Sequence, residues 1–385
     1  MIKNRQTLSI DYVPDNLPFR DQESRALATI LSTVLRGSRP SNLLVYGPTG
    51  TGKTAVVRKV VETLAKKVSG DLTRSIQIPI INAKLANSGY KLLFEMAEQL
   101  GLNKQEGKQV HFTGLSMGEA IGRILDFIKR KTLHVILVID EIDALVDKNG
   151  NDILYSFTRA NETMTGGFIS LIGISNKPDF KKYLDPRVVS SLSDEEVSFG
   201  PYTVDQLRQI LSERASLAFN PESIAPSAIN LCAALAGREH GDARRAIDLL
   251  RVAAELAERQ SAAQVEEKHV RAAQDKLEKD INVEILKNSP LHFKLVVLSI
   301  SRSKNGNTGE VYDNYVALCK RTEQEPLTQR RTTQIISELD LQGLVSRDIV
   351  NQGRYGRTQK ISLAIPMQTV KSALKDDPVL SEFMD

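Results

Sequence analysis

The segment Gly47-Pro48-Thr49-Gly50-Thr51-Gly52-Lys53-Thr54 follows the pattern G-x-x-x-x-G-K-[ST], directly after the β-branched run 43–46 and directly before the helical run 55–68. Residues of these types at this spacing capture phosphate. Glycines let successive backbone N–H groups turn inward on phosphate oxygens, and the following helix adds the positive end of its dipole. Lys53 supplies a countercharge for the β- and γ-phosphates of a nucleoside triphosphate, and Thr54 a hydroxyl for Mg2+. A Gly-rich turn without a ligand is the alternative, and the strand-loop-helix setting argues against it.

A second constellation sits at 135–141, where an apolar run ends in Asp140-Glu141. A parallel strand buried on both faces delivers its C-terminal residues to the ligand crevice. From there Asp140 can hold Mg2+ through water, and Glu141 can polarise an attacking water as general base. Acids after a strand also serve as helix N-caps. Asn176, after the run 168–174 and before Lys177-Pro178, reads by itself as a turn residue.

Such groups need a scaffold that lines up several strand ends. Between about residues 24 and 180, helical stretches alternate with β-branched runs at 43–46, 78–81, 135–139 and 168–174, the pattern of a parallel sheet wrapped by helices. Past Pro201 the strand signal stops, and 206–217, 226–235, 243–259 and 267–280 carry helical periodicity, which predicts a helical second domain. After Asn288-Ser289-Pro290, helical segments precede alternating strands at 344–350 and 358–365 around a Gly-rich turn at 351–357, the order of a winged helix. The expected divisions are 1–200, 201–284 and 285–385.

Within the last part, helices at 308–321 and 328–341 flank a turn through Glu325-Pro326, an arrangement that lays the second helix in a major groove. Ile335, Ile336 and Leu339 form its buried side. Arg330, Thr333, Gln334 and Ser337 share another face and can reach base edges and phosphates, with Arg331 adding a phosphate contact. The turn holds Arg354 and Arg357, with Arg347 and Lys360 nearby, a basic tip suited to the DNA backbone or minor groove. A solvated hairpin, or a winged helix that docks on protein, is the alternative.

With 385 residues, 41% hydrophobic and 25% charged, two or three domains are expected. The net charge of +4, from 51 basic and 47 acidic residues, proves nothing about nucleic acid, so any DNA contact must come from placement. Cys232 and Cys319 lie far apart among apolar helical residues and read as buried free thiols. No apolar run approaches the roughly 20 residues of a spanning helix, so a cytoplasmic protein without membrane contact is expected.

In chain order these motifs resemble those of AAA+ ATPases. Asp140-Glu141 is similar to their Walker B pair, and Ile174-Ser175-Asn176 to their first sensor. Asp185-Pro186-Arg187-Val188 resembles the box whose arginine finger reaches a neighbour's nucleotide; a surface arginine in an intrachain ion pair is the alternative. Gly241-Asp242-Ala243-Arg244-Arg245-Ala246 resembles the second sensor, with Arg244 rather than Arg245 over the γ-phosphate, although Asp242 capping two solvated arginines also fits. Leu17-Pro18-Phe19-Arg20 and Phe199-Gly200-Pro201-Tyr202 resemble the base pocket, where Leu17, Phe19, Arg20 and Tyr202 would enclose adenine; as bare sequence, Tyr202 also fits a core aromatic.

An AAA+ core, helical lid and winged helix in this order, with Leu17-Pro18-Phe19-Arg20-Asp21 and Asp140-Glu141-Ile142-Asp143, resemble the archaeal origin-recognition and cell-division-control initiator family over nearly the whole chain. The resemblance implies binding and bending or melting of double-stranded origin DNA, help in loading the replicative helicase, and self-association or paralogues on DNA. It implies ATP and ADP with Mg2+, slow hydrolysis, and a nucleotide used as a switch. It also implies a DNA-touching helical insertion where Lys91 and 102–116 fall, for which a plain surface helix fits as well. Ser190-Ser191 stand where eukaryotic relatives often carry another arginine. Two other functions remain: an ATP-gated winged-helix transcription regulator, and a clamp-loader-like motor, against which the C-terminal domain argues.

Overall fold

The computed structural model describes residues 1–10, 12–14, 16–68, 75–104, 110, 114–146, 150–192, 194–351 and 357–383, with the side chains of 348–351 and 357–359 left out. Two compact units divide the chain, Met1–Val270 and Arg271–Asp385.

The first unit is built on strands that are apolar and buried. β1 (Leu43–Tyr46), β4 (His134–Asp140) and β5 (Phe168–Ser175) carry almost no exposed position, as a parallel sheet covered on both faces requires. β2 (Ile76–Gln77) and β3 (Ile80–Asn82) pair in turn with the start and end of β4, and β6 (Glu195–Ser198) pairs with β1, giving the order β2-β4-β5-β1-β6. The single strand expected at 78–81 is thus divided in two. Pro79 has no N–H to offer the ladder, and only its carbonyl takes part, accepting from Val138 N–H at 2.9 Å.

All pairings are parallel, so the C-terminal ends of the strands share one edge. Asp140 lies opposite Ile174, and Tyr46 opposite Ser175, which sets β5 between the strand that precedes the phosphate loop and the strand that ends in Asp140. α1 (Asp21–Leu31) and α2 (Lys53–Val68) cover one face, burying Leu27, Leu31, Val57 and Val61 against Leu43, Val45 and Ile172. The short α3 (Ala83–Ala86) and α6 (Asp143–Val146), with α4 (Gly89–Leu100), α5 (Met117–Lys131), α7 (Asn151–Arg159) and α8 (Pro186–Leu192), cover the other.

The helical lid follows as α9 (Val204–Ala218), α10 (Pro226–Arg238) and α11 (Ala243–Arg259). Local chemistry fixes its starts. Thr203 and Gln206 form a reciprocal capping box at α9, and Pro226 occupies the first turn of α10, where its missing N–H costs nothing. Ala233, Ala236, Ala253 and Ala257 are buried, small enough for close helix approach. α12 (Glu267–Asn288) leads into the second unit. Cys232 and Cys319 are both buried and free, and no helix among the described residues is long and apolar enough to cross a membrane.

The second unit comprises α13 (Leu291–Ser301), α14 (Thr308–Arg321), α15 (Gln329–Leu341), the antiparallel pair β7 (Val345–Asn351) and β8 (Arg357–Leu363), and α16 (Met367–Leu374). Two phenols set the start of α15. The buried Tyr315 hydroxyl accepts from Leu327 N–H at 3.1 Å and hydrogen-bonds with His292 Nδ1 at 2.7 Å, while the Tyr312 hydroxyl donates to the Leu327 carbonyl at 3.1 Å. The next residue, Thr328, caps α15 by accepting from Arg331 N–H. Tyr315→Phe leaves the Leu327 N–H without its acceptor and should lower unfolding free energy by about 1–3 kcal/mol; urea denaturation followed by circular dichroism measures it, and an unchanged midpoint would show that the phenol is dispensable.

Candidate nucleotide site and winged-helix face

The phosphate loop is shaped by what packs on it. Gly50 sits at φ +67°, and a Cβ there would lie 1.6 Å from Asp242 Oδ1. Ala243 N–H donates to the Gly50 carbonyl at 3.1 Å. The lid thus docks the N-terminus of α11 on the tip of the loop, with Asp242 capping that helix by accepting from the Arg244 and Arg245 N–H groups at 2.7 and 3.2 Å. Thr49 Oγ1 donates to the same carboxylate at 3.4 Å, and Thr51 Oγ1 to the Pro48 carbonyl at 2.9 Å. Lys53 is folded into the loop, its Nζ donating to the Gly47 and Pro48 carbonyls at 2.8 and 2.6 Å.

That position is electrostatically costly. Burial lowers the Lys53 pKa to about 8, and the positive charge of Arg244 pushes in the same direction, against the opposing pull of Asp140, Asp242 and Asp143. Arg244 itself is exposed, whereas Arg245 pairs with Glu239 at 2.8 Å. A cation of the lid thus acts electrostatically on the lysine of the loop.

Beside them, the Thr54 hydroxyl donates to Asp140 Oδ1 at 3.1 Å, and the same oxygen accepts from Glu141 N–H at 3.1 Å. Asp140 is 6% exposed. A buried carboxylate touching a hydroxyl offers hard oxygen ligands that fit Mg2+, an ion that takes one or two protein oxygens and leaves the rest to phosphate and water. Among the described residues no group of three or more His, Cys, Asp or Glu forms an all-protein cage. Glu141 has φ +52°, a left-handed conformation that non-glycine residues adopt at a cost of about 1–3 kcal/mol, and it turns the chain out of β4. Asn176 leaves β5 between these groups; its N–H donates to Asp143 Oδ1 at 3.4 Å, an oxygen that also accepts from the Ser175 hydroxyl at 3.0 Å.

The residues expected around a base are packed more tightly than the sequence suggests. Arg20, 6% exposed, donates to the Thr51 and Gly200 carbonyls at 2.9 and 2.6 Å and pairs with Glu23 at 2.8 Å. Its guanidinium lies 4.0 Å from the Tyr202 ring centre, so one face of that ring is covered. The Tyr202 hydroxyl rests against Gly52, where an added Cβ would approach to 2.9 Å. Leu17 and Phe19 are half-buried, Leu17 against the apolar cluster of α1, α2 and the sheet, and Phe19 with φ +64°. Arg187 is exposed, clasps Asp185 through bonds of 3.0 and 2.8 Å, and lies 4.9 Å from the Tyr155 ring centre. Its hydrogen bonds hold the Asp185 carboxyl down at about 2.

On α15, Arg330 and Gln334 are exposed, and Arg331 pairs with Glu338 at 3.1 Å while donating to Gln334 at 3.2 Å. Thr333 and Ser337 turn their hydroxyls to carbonyls of their own helix at 2.9 and 3.0 Å, and Ser337 also accepts from Arg347 at 2.7 Å. Arg347 binds Asp340 as well, tying β7 to α15. Arg354 lies outside the described residues, and of Arg357 only the backbone, at the start of β8, is described. Lys91 opens α4, with its ammonium 3.3 Å from the Leu85 carbonyl. Sequence reasoning missed the Asp242 contact with Gly50, the role of Asp143 as a shared acceptor and the bonds of Arg20 to the loop; each joins segments far apart in the chain.

Free Lys53 should lose its proton near pH 8, whereas a polyphosphate against Nζ holds it protonated. ADP binding in EDTA should therefore take up a proton above pH 8, with affinity falling there toward tenfold per pH unit. Calorimetry in buffers of different ionisation heat measures this, and an affinity flat from pH 7 to 9.5 would contradict it.

Comparisons with known proteins match this arrangement part by part. Residues 16–171 match the AAA ATPase domain, 208–275 the Cdc6 AAA+ ATPase-type lid domain, and 284–373 the CDC6 C-terminal winged helix domain. An ORC1-type DNA replication protein of Cenarchaeum symbiosum is 47% identical over 100% of this chain and 93% of its own, and one of Thermococcus onnurineus 45% identical over 98% and 91%. Among solved structures, the Aeropyrum pernix ORC1 protein in complex with DNA is 44% identical, covers 99% of this chain and 98% of its own, and superposes with a TM-score of 0.83. The chain therefore belongs to the family of ORC1-type DNA replication proteins, with an AAA+ core, a Cdc6-type lid and a C-terminal winged helix.

Proposed function

We propose that this chain is an ATP-dependent replication initiator that binds double-stranded origin DNA through its winged helix and helps recruit or load the replicative helicase. The observation that carries this reading is the full-length likeness, at 44% identity, to a chain solved with DNA. The same division of labour, 1–200 for nucleotide, 201–284 for the lid and 285–385 for DNA, underlies it.

ATP or ADP lies in the loop, with backbone N–H groups and Lys53 on the phosphates. Thr54 and, through water, Asp140 would hold Mg2+, which would supply positive charge for the β- and γ-phosphates. Glu141 takes the proton of the attacking water, Asn176 orients it, and Arg244 draws the lid onto the γ-phosphate. Arg187 serves a neighbouring nucleotide when copies or paralogues assemble on DNA, which requires it to leave Asp185. Hydrolysis is slow, and the bound nucleotide acts as a switch.

On DNA, Arg330 and Gln334 read base edges from α15, Thr333 and Ser337 add contacts once their hydroxyls reorient, and Arg331, Arg354 and Arg357 hold phosphates. A transcription regulator would use the same helix, and a clamp-loader-like motor would need none; family membership favours the initiator. A DNase footprint on A·T-rich intergenic DNA tests this reading. Discrete protection at repeated elements should appear, and Arg330→Ala should weaken it by about 1–3 kcal/mol; diffuse, salt-sensitive binding would point to a motor instead. Glu141→Gln should bind ATP and release no phosphate, and normal phosphate release would remove Glu141 as base.

A further inference from the structure

Residues 1–8 and Tyr12 pack against the lid. Lys3 and Asn4 N–H groups both donate to the Ala218 carbonyl at 2.8 and 3.1 Å, Asn220 N–H donates to the Met1 carbonyl at 3.0 Å, and Ile2 forms an antiparallel bridge with Phe219. Thr7 and Leu8 are buried, and their short helical turn rests on both α9 and α11. Arg5 pairs with Glu258 of α11.

Arg214 of α9 fastens this segment. It is 7% exposed, donates to the Thr7 and Tyr12 carbonyls at 2.9 and 2.8 Å, and lies 4.7 Å from the Tyr12 ring centre. Eight positions further along the sequence, Arg20 makes the corresponding bonds on the core, to the Thr51 carbonyl of the phosphate loop and the Gly200 carbonyl. Eight residues can span no more than about 28 Å even fully extended. A short strap therefore joins the lid to the loop, anchored at each end by a buried guanidinium on backbone carbonyls. Charge-assisted bonds of this kind are stronger than neutral ones and directional. Phe19, next to the Arg20 anchor, has a left-handed backbone.

We infer that the N-terminal strap sets the position of the lid over the nucleotide, and that Arg214 is a positioning residue for nucleotide retention. The inference rests on the phosphate-loop reading above. Arg244 belongs to α11, one of the two helices on which the N-terminal segment rests, and its positive charge acts on Lys53 of the loop. A strap of this length limits how far the lid can lie from the loop while both anchors hold. Coupling of this kind is reciprocal: the factor by which the strap tightens a nucleoside triphosphate is the factor by which the nucleotide tightens the strap.

The test uses the full chain with a fluorescent non-hydrolysable ATP analogue chased by the unlabelled analogue, and hydrogen exchange of the amides of residues 2–8 with and without the analogue. Arg214→Met should release the analogue at least fivefold faster, Arg214→Lys should restore part of the loss, and the analogue should slow exchange of residues 2–8 in the wild type but not in Arg214→Met. Wild-type analogue release by a folded Arg214→Met, or exchange of residues 2–8 indifferent to the analogue, overturns the inference alone. A wild-type chain that binds neither the analogue nor ADP overturns the nucleotide reading and this inference with it. If Arg214→Met fails to fold, the wild-type exchange experiment decides.

Discussion

One buried lysine, Lys53, set under the positive charge of Arg244 and the opposing pull of Asp140, Asp242 and Asp143, organises the first unit of this protein. Lys53 is buried against the carbonyls of its own loop and driven toward neutrality by that burial and by Arg244. Arg244 arrives from the lid, on a helix whose cap, Asp242, is pressed against Gly50. Lys53 is held by burial and by its bonds to the loop carbonyls, an arrangement suited to receiving a polyphosphate. Burying charge is expensive in the absence of a partner, and a site that stores this cost gives it back on binding.

The architecture follows from delivering these charges. A parallel sheet brings strand ends to one edge; β1 feeds the loop, β4 ends in Asp140 beside Thr54, and β5 places Asn176 and the Asp143 cluster between them. Such a sheet must be buried on both faces, which the helices of the two apolar clusters provide. The lid then needs a fixed approach, and two arginines that spend their hydrogen bonds on carbonyls, Arg20 and Arg214, supply it. The winged helix uses the same economy of means, since buried phenols on Leu327 decide where α15 starts and hence which side chains face outward.

Much of this was legible in the sequence where chemistry is local. The loop 47–54 between a strand and a helix, and Asp140 at the end of a strand, could be placed because their spacing is local, and the outward face of α15 because a helix repeats every 3.6 residues. Long-range packing left no such trace. Nothing near Gly50 announces Asp242, and nothing near Arg20 shows that its guanidinium would be committed to the loop rather than turned to a base. Arg187 is the reverse case, where sequence left an intrachain ion pair open and the folded chain has that pair with Asp185. The break at Pro79 followed from a missing N–H that an apolar run conceals.

The most direct test of the account is the thermal stability of Arg244→Ala with and without a saturating non-hydrolysable ATP analogue. A ligand present at about a hundred times its dissociation constant stabilises the folded state by about 2.7 kcal/mol, and the account predicts that this gain is largely lost in the variant while the ligand-free protein melts no lower than the wild type, because a repulsion with Lys53 has been removed. A variant that keeps the full analogue-induced shift would contradict it, and would mean that the two cations do not share the γ-phosphate.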